Sequence, residues 1–336
     1  MLTKNYFASA NGYSGFKSYF GEIFKSESFE HIYILKGGPG TGKSSLMKQV
    51  AALAYDRGLD HDKIYCSSDP TSLDGVIIHT ERGDYSIIDG TAPHERDAIL
   101  PGVIDTLVNI GENLDEKLLR ERRDEILTLN AQKKASYKSA YTMLKATGEI
   151  SRRIKDALTA SFSYSKAYEL ADALVQDTDA ESVSKTSIAL MSSFGKNGRH
   201  KIDGYHCAKK IVSLRGSYGE EKLFLSALYN KYRQICSTVS FDPLDEEVDA
   251  VQIGDVLLTS TDDFTCEAID LSETVNGVLD VDIERLEEAK KNLLKEAEAY
   301  FAEASRSHFE LEKIYSRAMD FEKNEIILNR IIKEIF

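Results

Sequence analysis

The sequence predicts an α/β fold with mainly parallel sheets, present in two copies and carrying long helical insertions. Three observations carry this. At 31–50 an apolar strand breaks into glycines and restarts as a helix, HIYILKGGPGTGKSSLMKQV. Apolar runs alternate with helix-length segments on both sides of it. The same order of features returns, in decayed form, from about residue 209.

The stretch 31–50 is the centre of the first copy. Ile32, Tyr33, Ile34 and Leu35 make the strand, and Leu46, Val50, Leu53 and Ala54 give the next segment a helical apolar stripe. Between them, Gly37, Gly42, Lys43 and Ser44 satisfy G-x-x-x-x-G-K-[ST], a loop whose glycines let backbone N–H groups curl around a β-phosphate. The predicted cradle is Gly37, Gly38, Pro39, Gly40, Thr41 and Gly42, running on into Lys43, Ser44 and Ser45. Lys43 is placed to reach the β- and γ-phosphates and the Ser44 hydroxyl to ligate Mg2+, while the helix N-terminus adds its dipole to the same anion. This pattern predicts a three-layer α/β/α nucleoside-triphosphatase fold of the P-loop type, with ATP and Mg2+ as ligands.

Ahead of the loop, Phe16, Tyr19, Phe20, Ile23 and Phe24 recur at helical spacing after an Asn11-Gly12 turn, which predicts a helix packed on the sheet. After it, 63–66, 75–79 and 84–89 read as three further strands. The last ends in Asp89, the position for a second acidic group in the Mg2+ shell opposite Ser44. Gly90 stands where many ATPases place a water-polarising glutamate, so hydrolysis here would call on Glu95, His94, Glu81 or a residue supplied by another element. Lys43, Asp89, Glu95 and His94 are therefore the catalytic candidates, with Thr91 and His94 also suited to sensing a γ-phosphate. Arg82 and Arg96 are candidate charges on the transferring phosphate, each weighed against an ordinary surface arginine.

From about Ile104 charged residues alternate with widely spaced leucines and tyrosines, and no proline falls between Pro101 and Pro243. A helix over 114–146 would be about 50 Å long at 1.5 Å per residue. Gly148 is the expected hinge into a second, antiparallel helix over 150–175. Lys145, Arg152, Arg153 and Lys155 form a basic cluster on this segment, read as a solvated face or as a contact for an acidic partner or nucleic acid.

The second copy aligns Leu35–Leu46 with Leu214–Leu225 without gaps, keeping two glycines and the lysine, as Lys222. Asp69-Pro70 is matched by Asp242-Pro243, Val76–Ile78 by Val256–Leu258 and Ile88-Asp89 by Ile269-Asp270. Glu221 replaces Gly42 and Leu223 replaces Ser44, which puts a carboxylate into the cradle. Like charges about 4 Å apart repel by roughly 4 kcal/mol at an effective dielectric near 20, so the second loop is not expected to hold a nucleotide. The expected divisions are 1–103 for the first module, 104–180 for the helical insertion, 181–280 for the degenerate module and 281–336 for a long C-terminal helical segment.

In Gly37 to Ser45, Asp69-Pro70 and Asp89 to His94, and in the decayed repeat, the chain resembles a family of bacterial ATPases that carry tandem P-loop modules. The resemblance spans nearly the whole sequence and implies ATP binding and a P-loop fold. The second loop, SYGEEKLF, departs from the more intact one of that family. This points to an ATP-binding protein, a Mg2+-dependent ATPase with one working site, with Arg215 of the second module a candidate for donation in trans. Two alternatives stay open: a small-molecule or nucleotide kinase using Asp74 or Glu81 with Arg120, Arg122 and Arg123 on a lid, and a nucleotide-regulated scaffold without chemistry. No N-K-x-D guanine signature occurs.

Composition narrows the class. The 336 residues, 42% hydrophobic and 29% charged, suit a soluble globular protein, long enough for two domains or for one core with a large insertion. A net charge of −13 argues against broad binding to nucleic acid or anionic membrane, which needs a clustered basic face. Cys66, Cys207, Cys236 and Cys266 form no C-x-x-C pair, and scattered thiols suit the cytoplasm. The first residues lack an apolar signal core, and no run approaches a membrane span. A protein partner is expected to meet the helical arms.

Overall fold

The computed structural model describes residues 3–176, 178–202, 208–260, 267–277, 279 and 281–336, so Cys207 and Cys266 lie outside the described residues. The first half contains β1 (Thr3–Phe7), β2 (Ser9–Gly12), β3 (Gly15–Ser18), a short α1 (Phe20–Ile23), β4 (His31–Lys36) and α2 (Lys43–Asp56). It continues with β5 (His61–Tyr65), β6 (Leu73–Thr80), β7 (Gly83–Asp89) and β8 (Asp105–Asn109). The helices α3 (Glu116–Glu121), α4 (Arg123–Ser161) and α5 (Tyr164–Gln176) follow. The second half has β9 (Ser187–Ile188), β10 (Ser192–Gly195), β11 (Gly198–Lys201), β12 (Lys210–Arg215), α6 (Glu221–Tyr232) and β13 (Cys236–Phe241). It ends with β14 (Val248–Ile253), β15 (Val256–Thr259), β16 (Glu267–Asp270), α7 (Ile283–Arg317) and α8 (Phe321–Ile335).

Two six-stranded sheets result, in the orders β1-β5-β6-β7-β4-β8 and β9-β13-β14-β15-β12-β16. Strand directions also agree. β6 is antiparallel to both its neighbours and every other pairing in its sheet is parallel, and β14 has the same role in the second sheet. Each sheet is accompanied by one antiparallel hairpin, β2–β3 or β10–β11. The chain is thus one topological unit used twice. The two copies meet where Phe7 and Leu190 exchange backbone hydrogen bonds of 2.9 and 3.1 Å at the ends of the two edge strands.

Strand pairing corrects the sequence alignment downstream of the Asp-Pro pairs. β7 is matched by β15 and β8 by β16, so Asp270, which pairs with Arg215, is the counterpart of Asn109, which pairs with Lys36. The register of β12 on β15 puts Ser260 at the place of Asp89. Similar apolar tripeptides on adjacent strands misled the alignment by one strand.

The helix expected over the first aromatic residues is mostly a hairpin. Phe16 lies in β3 and only 20–23 are helical. Asn11 explains the preference for strand, because its side-chain amide donates to Phe194 O at 2.8 Å and so ties β2 to β10. Gly148 is no hinge either, since α4 runs unbroken through it for 39 residues. A Cβ on Gly148 would come within 2.5 Å of Tyr13, so the glycine is where the β2–β3 tip lies against the helix.

The long helices are bridges rather than free arms. α4 packs antiparallel along α7, and the equivalent bridges Leu114 to Met319 and Phe162 to Val275 tie the two ends. Each bridge delivers its last helix to the opposite half. Leu328, Ile331 and Ile335 of α8 join Met47, Val50 and Ile78 in the core under the first sheet, whereas Ala167 and Ala171 of α5 join Leu228 and Val251 under the second. The other face of the first sheet, with Ile32, Ile34 and Ile88, packs on Phe20, Phe24 and Phe29 and on Ala250 and Leu257 of the second half. The expected α/β/α sandwich is therefore not completed by the helices of one half.

Candidate nucleotide-phosphate site

β4 runs parallel between β7 and β8, so the glycine loop leaves the sheet at the carboxyl ends of three strands, where ligands bind in open α/β sheets. Gly40 and Gly42 have φ of +68° and +90°, values that L-residues with side chains rarely adopt. α2 begins at Lys43 with Gly42 as its N-cap and no side-chain cap, so its first N–H groups have no side-chain acceptor. Lys43, only 8% exposed, donates to Gly37 O and Gly38 O at 2.9 Å each and lies 3.6 Å from Asp89 Oδ2. The ammonium is thereby poised inside the loop, neutralised by two carbonyl dipoles and one carboxylate.

Around that pair, the register sets Asp89 opposite Leu35, and Asp89 Oδ1 accepts from Thr91 N at 2.9 Å and Thr91 Oγ1 at 2.6 Å. Ser44 Oγ accepts from Leu73 N at 2.9 Å, and Thr41 Oγ1 donates to Gly38 O at 2.8 Å. Pro39 is half-buried in the loop, and exposed Ser45 borders a small cleft against α8. A Mg2+ ion bound by one hydroxyl, one carboxylate, phosphates and water would fit Ser44 and Asp89. Among the described residues, no group of three or more His, Cys, Asp or Glu is placed to hold a metal, a cage that Mg2+ of this kind does not require.

The remaining candidates separate. His94 lies behind Asp89 with Nδ1 3.1 Å from Asp89 O, Nε2 3.3 Å from Asp74, and its ring stacked 4.6 Å from Phe20. Both neighbours are acceptors; burial lowers the His94 pKa, but Asp74 and Asp89 raise it by more. His94 thus lies against the backbone of the Asp89 turn. Glu95 is exposed. Arg96 is buried on Phe24 O, Ser26 and Asp105, and Arg82 donates to Glu334 O and Ile335 O at the end of α8. Arg120, Arg122 and Arg123 pair with Glu116, Glu125 and Asp124 beside them in sequence.

Sequence reasoning missed the elbow between α7 and α8. Asn324 Nδ2 donates to Thr41 O at 2.8 Å, and a Cβ on Gly38 or Gly40 would come within 2.8 Å of Tyr315 or 2.5 Å of Glu312 O. The glycines thus serve packing as well as any phosphate. The cleft here, between Gly42, Ser45, Phe321 and Asn324, holds about 110 Å3, well below the roughly 300–1,000 Å3 of ordinary ligand pockets. On the adjoining face of α7, burial and then the ammonium groups of Lys133 and Lys43 push His308 down to about 4. Nothing local in the sequence marks this contact, which joins residues 283 positions apart.

The second loop is filled from within. Glu220, fully buried, accepts from Ser217 N at 3.0 Å and Tyr218 N at 2.8 Å, and Glu221 accepts from Gly216 N at 2.7 Å. The carboxylates take backbone donors that a phosphate would need. Lys222 turns away to Asp242 at 2.6 Å and to Asp245. Substituting Glu220→Ala together with Glu221→Gly should free these amides; isothermal titration with pyrophosphate is expected to show binding that depends on both changes. No heat above that of the wild type would mean that the loop collapses without its carboxylates.

Comparison with known protein families, with curated proteins and with solved structures finds no match. Among the described residues no helix is long and apolar enough to cross a membrane.

Proposed function

We propose that the first half is a P-loop module that binds ATP with Mg2+ at Gly37–Ser45, and that the second half acts on this site through α7 and α8. The observation that carries it is the meeting of Lys43 with Asp89 at 3.6 Å, at the carboxyl ends of parallel strands and beside an uncapped helix N-terminus. Lys43 would swing from its carbonyls to the phosphates, Ser44 and Asp89 would hold the metal shell, and Thr91 would keep Asp89 oriented. A nucleotide base and ribose need more room than the cleft beside Phe321 provides, so binding displaces the N-terminal turn of α8.

A slow ATPase and a non-hydrolysing switch differ at one residue. A Cβ on Gly90 would sit 2.3 Å from Ile34, so no glutamate fits there, and exposed Glu95 is the next acidic residue along the chain. This observation favours the switch as the second reading. The test is thermal unfolding and phosphate release with ATP and GTP, with and without Mg2+. Saturating ATP at one hundred times its dissociation constant is expected to add about 2.7 kcal/mol. Stabilisation with phosphate release supports the ATPase, stabilisation alone supports the switch, and no shift with any nucleotide removes both.

A further inference from the structure

We infer that the groove between the β2–β3 tip and the middle of α4 binds single-stranded nucleic acid. The groove encloses about 550 Å3 and is lined by Tyr13, Lys134, Tyr137, Lys138, Tyr141 and Lys145. Its floor is aromatic and rigid. Tyr137 and Tyr141 stack with ring centres 6.1 Å apart, and Phe301 holds both edge-on at 5.7 and 5.8 Å. Their hydroxyls are engaged by Ser68 Oγ at 3.3 Å and Asn11 Oδ1 at 2.7 Å, so the rings are fixed in place and present apolar surface to the groove.

The wall is cationic in a chain of net charge −13. Lys134, Lys138 and Lys145 are exposed, stand along one side of α4 over roughly 16 Å, and have no ion-pair partner among the described residues. One carboxylate, Glu246, lies at the rim and accepts from Ser14. An open groove with stacking surface below and point charges above fits a strand whose bases lie on the tyrosines and whose phosphates meet the ammonium groups. An acidic peptide offers the rings no aromatic face to stack, and the wall lacks the arginines that grip carboxylates in bidentate fashion.

The test is fluorescence anisotropy of labelled ten-residue oligothymidylate and oligouridylate with the full chain, from 50 to 200 mM salt. Binding is expected, with a preference between the two probes telling DNA from RNA. Lys134→Ala with Lys138→Ala and Lys145→Ala should weaken it more than tenfold and flatten the log–log salt slope by about 2, since each phosphate contact in single strands contributes about 0.7. Tyr13→Ala should weaken it about fivefold or more at unchanged slope. Lys291→Ala with Lys295→Ala, two exposed lysines of α7, should change nothing. No binding at 50 mM salt, an unaltered triple variant, or equal competition by polyglutamate would overturn the inference. Lys43→Ala should retain oligonucleotide binding, which separates this groove from the proposed ATP site.

Discussion

Lys43→Ala is expected to abolish stabilisation by MgATP while leaving the ligand-free fold in place. Lys43 donates to two carbonyls of its own loop and faces Asp89, and these contacts are local to Gly37, Gly38 and Asp89. Losing them costs the free protein on the order of 1–2 kcal/mol, because Asp89 keeps both bonds from Thr91. The liganded protein loses far more. At an ATP concentration one hundred times the wild-type dissociation constant, the stabilisation of about 2.7 kcal/mol should fall to near zero. Differential scanning fluorimetry of both proteins across an ATP series checks this. A variant that melts several degrees lower yet shifts with ATP as the wild type does would show that the lysine holds the loop and nothing else.

The loop, its strand and its helix were legible in the sequence because they are contiguous. Local conformation alone ties Gly42 to Lys43, and a strand followed by glycines and an amphipathic run has few other readings. Asp89 was legible for a similar reason, as the polar end of an apolar strand. The intrusion of Glu221 into the second loop was also readable from one substitution, although Glu220 fills as much of the cradle, and its position one residue earlier gave no hint of that. What stayed hidden depends on long-range pairing. Nothing in Phe321 or Asn324 points to a loop nearly three hundred residues earlier, and Gly148 looks like a hinge until Tyr13 is brought against it. His94 and Arg96 illustrate the same limit, since titratable side chains after a strand suggest catalysis, yet both are held by buried acceptors.

Asp242→Ala is expected to be the most damaging single change in the second half. Asp242 is 1% exposed, is held by Arg199 at 2.5 and 2.6 Å, accepts from Lys222 at 2.6 Å and from Leu244 N at 2.9 Å. Burial opposes its charge, but the two cations outweigh burial and hold its carboxyl well below the ordinary carboxylate range. Such a group contributes stability above its unfolded pKa near 3.9 and loses it only as pH falls through the lower folded value. Among the described residues, removing the carboxylate leaves Arg199 with no carboxylate bonded to it and Lys222 with Asp245 alone, a loss of about 3–5 kcal/mol at pH 7. Asp249 has the opposite sign. Burial and the neighbouring Asp242 push it up to about 6, and neither of its carboxyl oxygens has a hydrogen-bond partner among the described residues. Its contribution is therefore intact below pH 4 and lost as pH rises through 6, so Asp249→Asn should match the wild type at pH 4 and exceed it by roughly 1–3 kcal/mol at pH 7.5. Guanidinium unfolding of both variants at the two pH values measures the pair. A loss under 1 kcal/mol for Asp242→Ala, or a gain for Asp249→Asn that does not change with pH, would mean that water reaches this cluster and screens it.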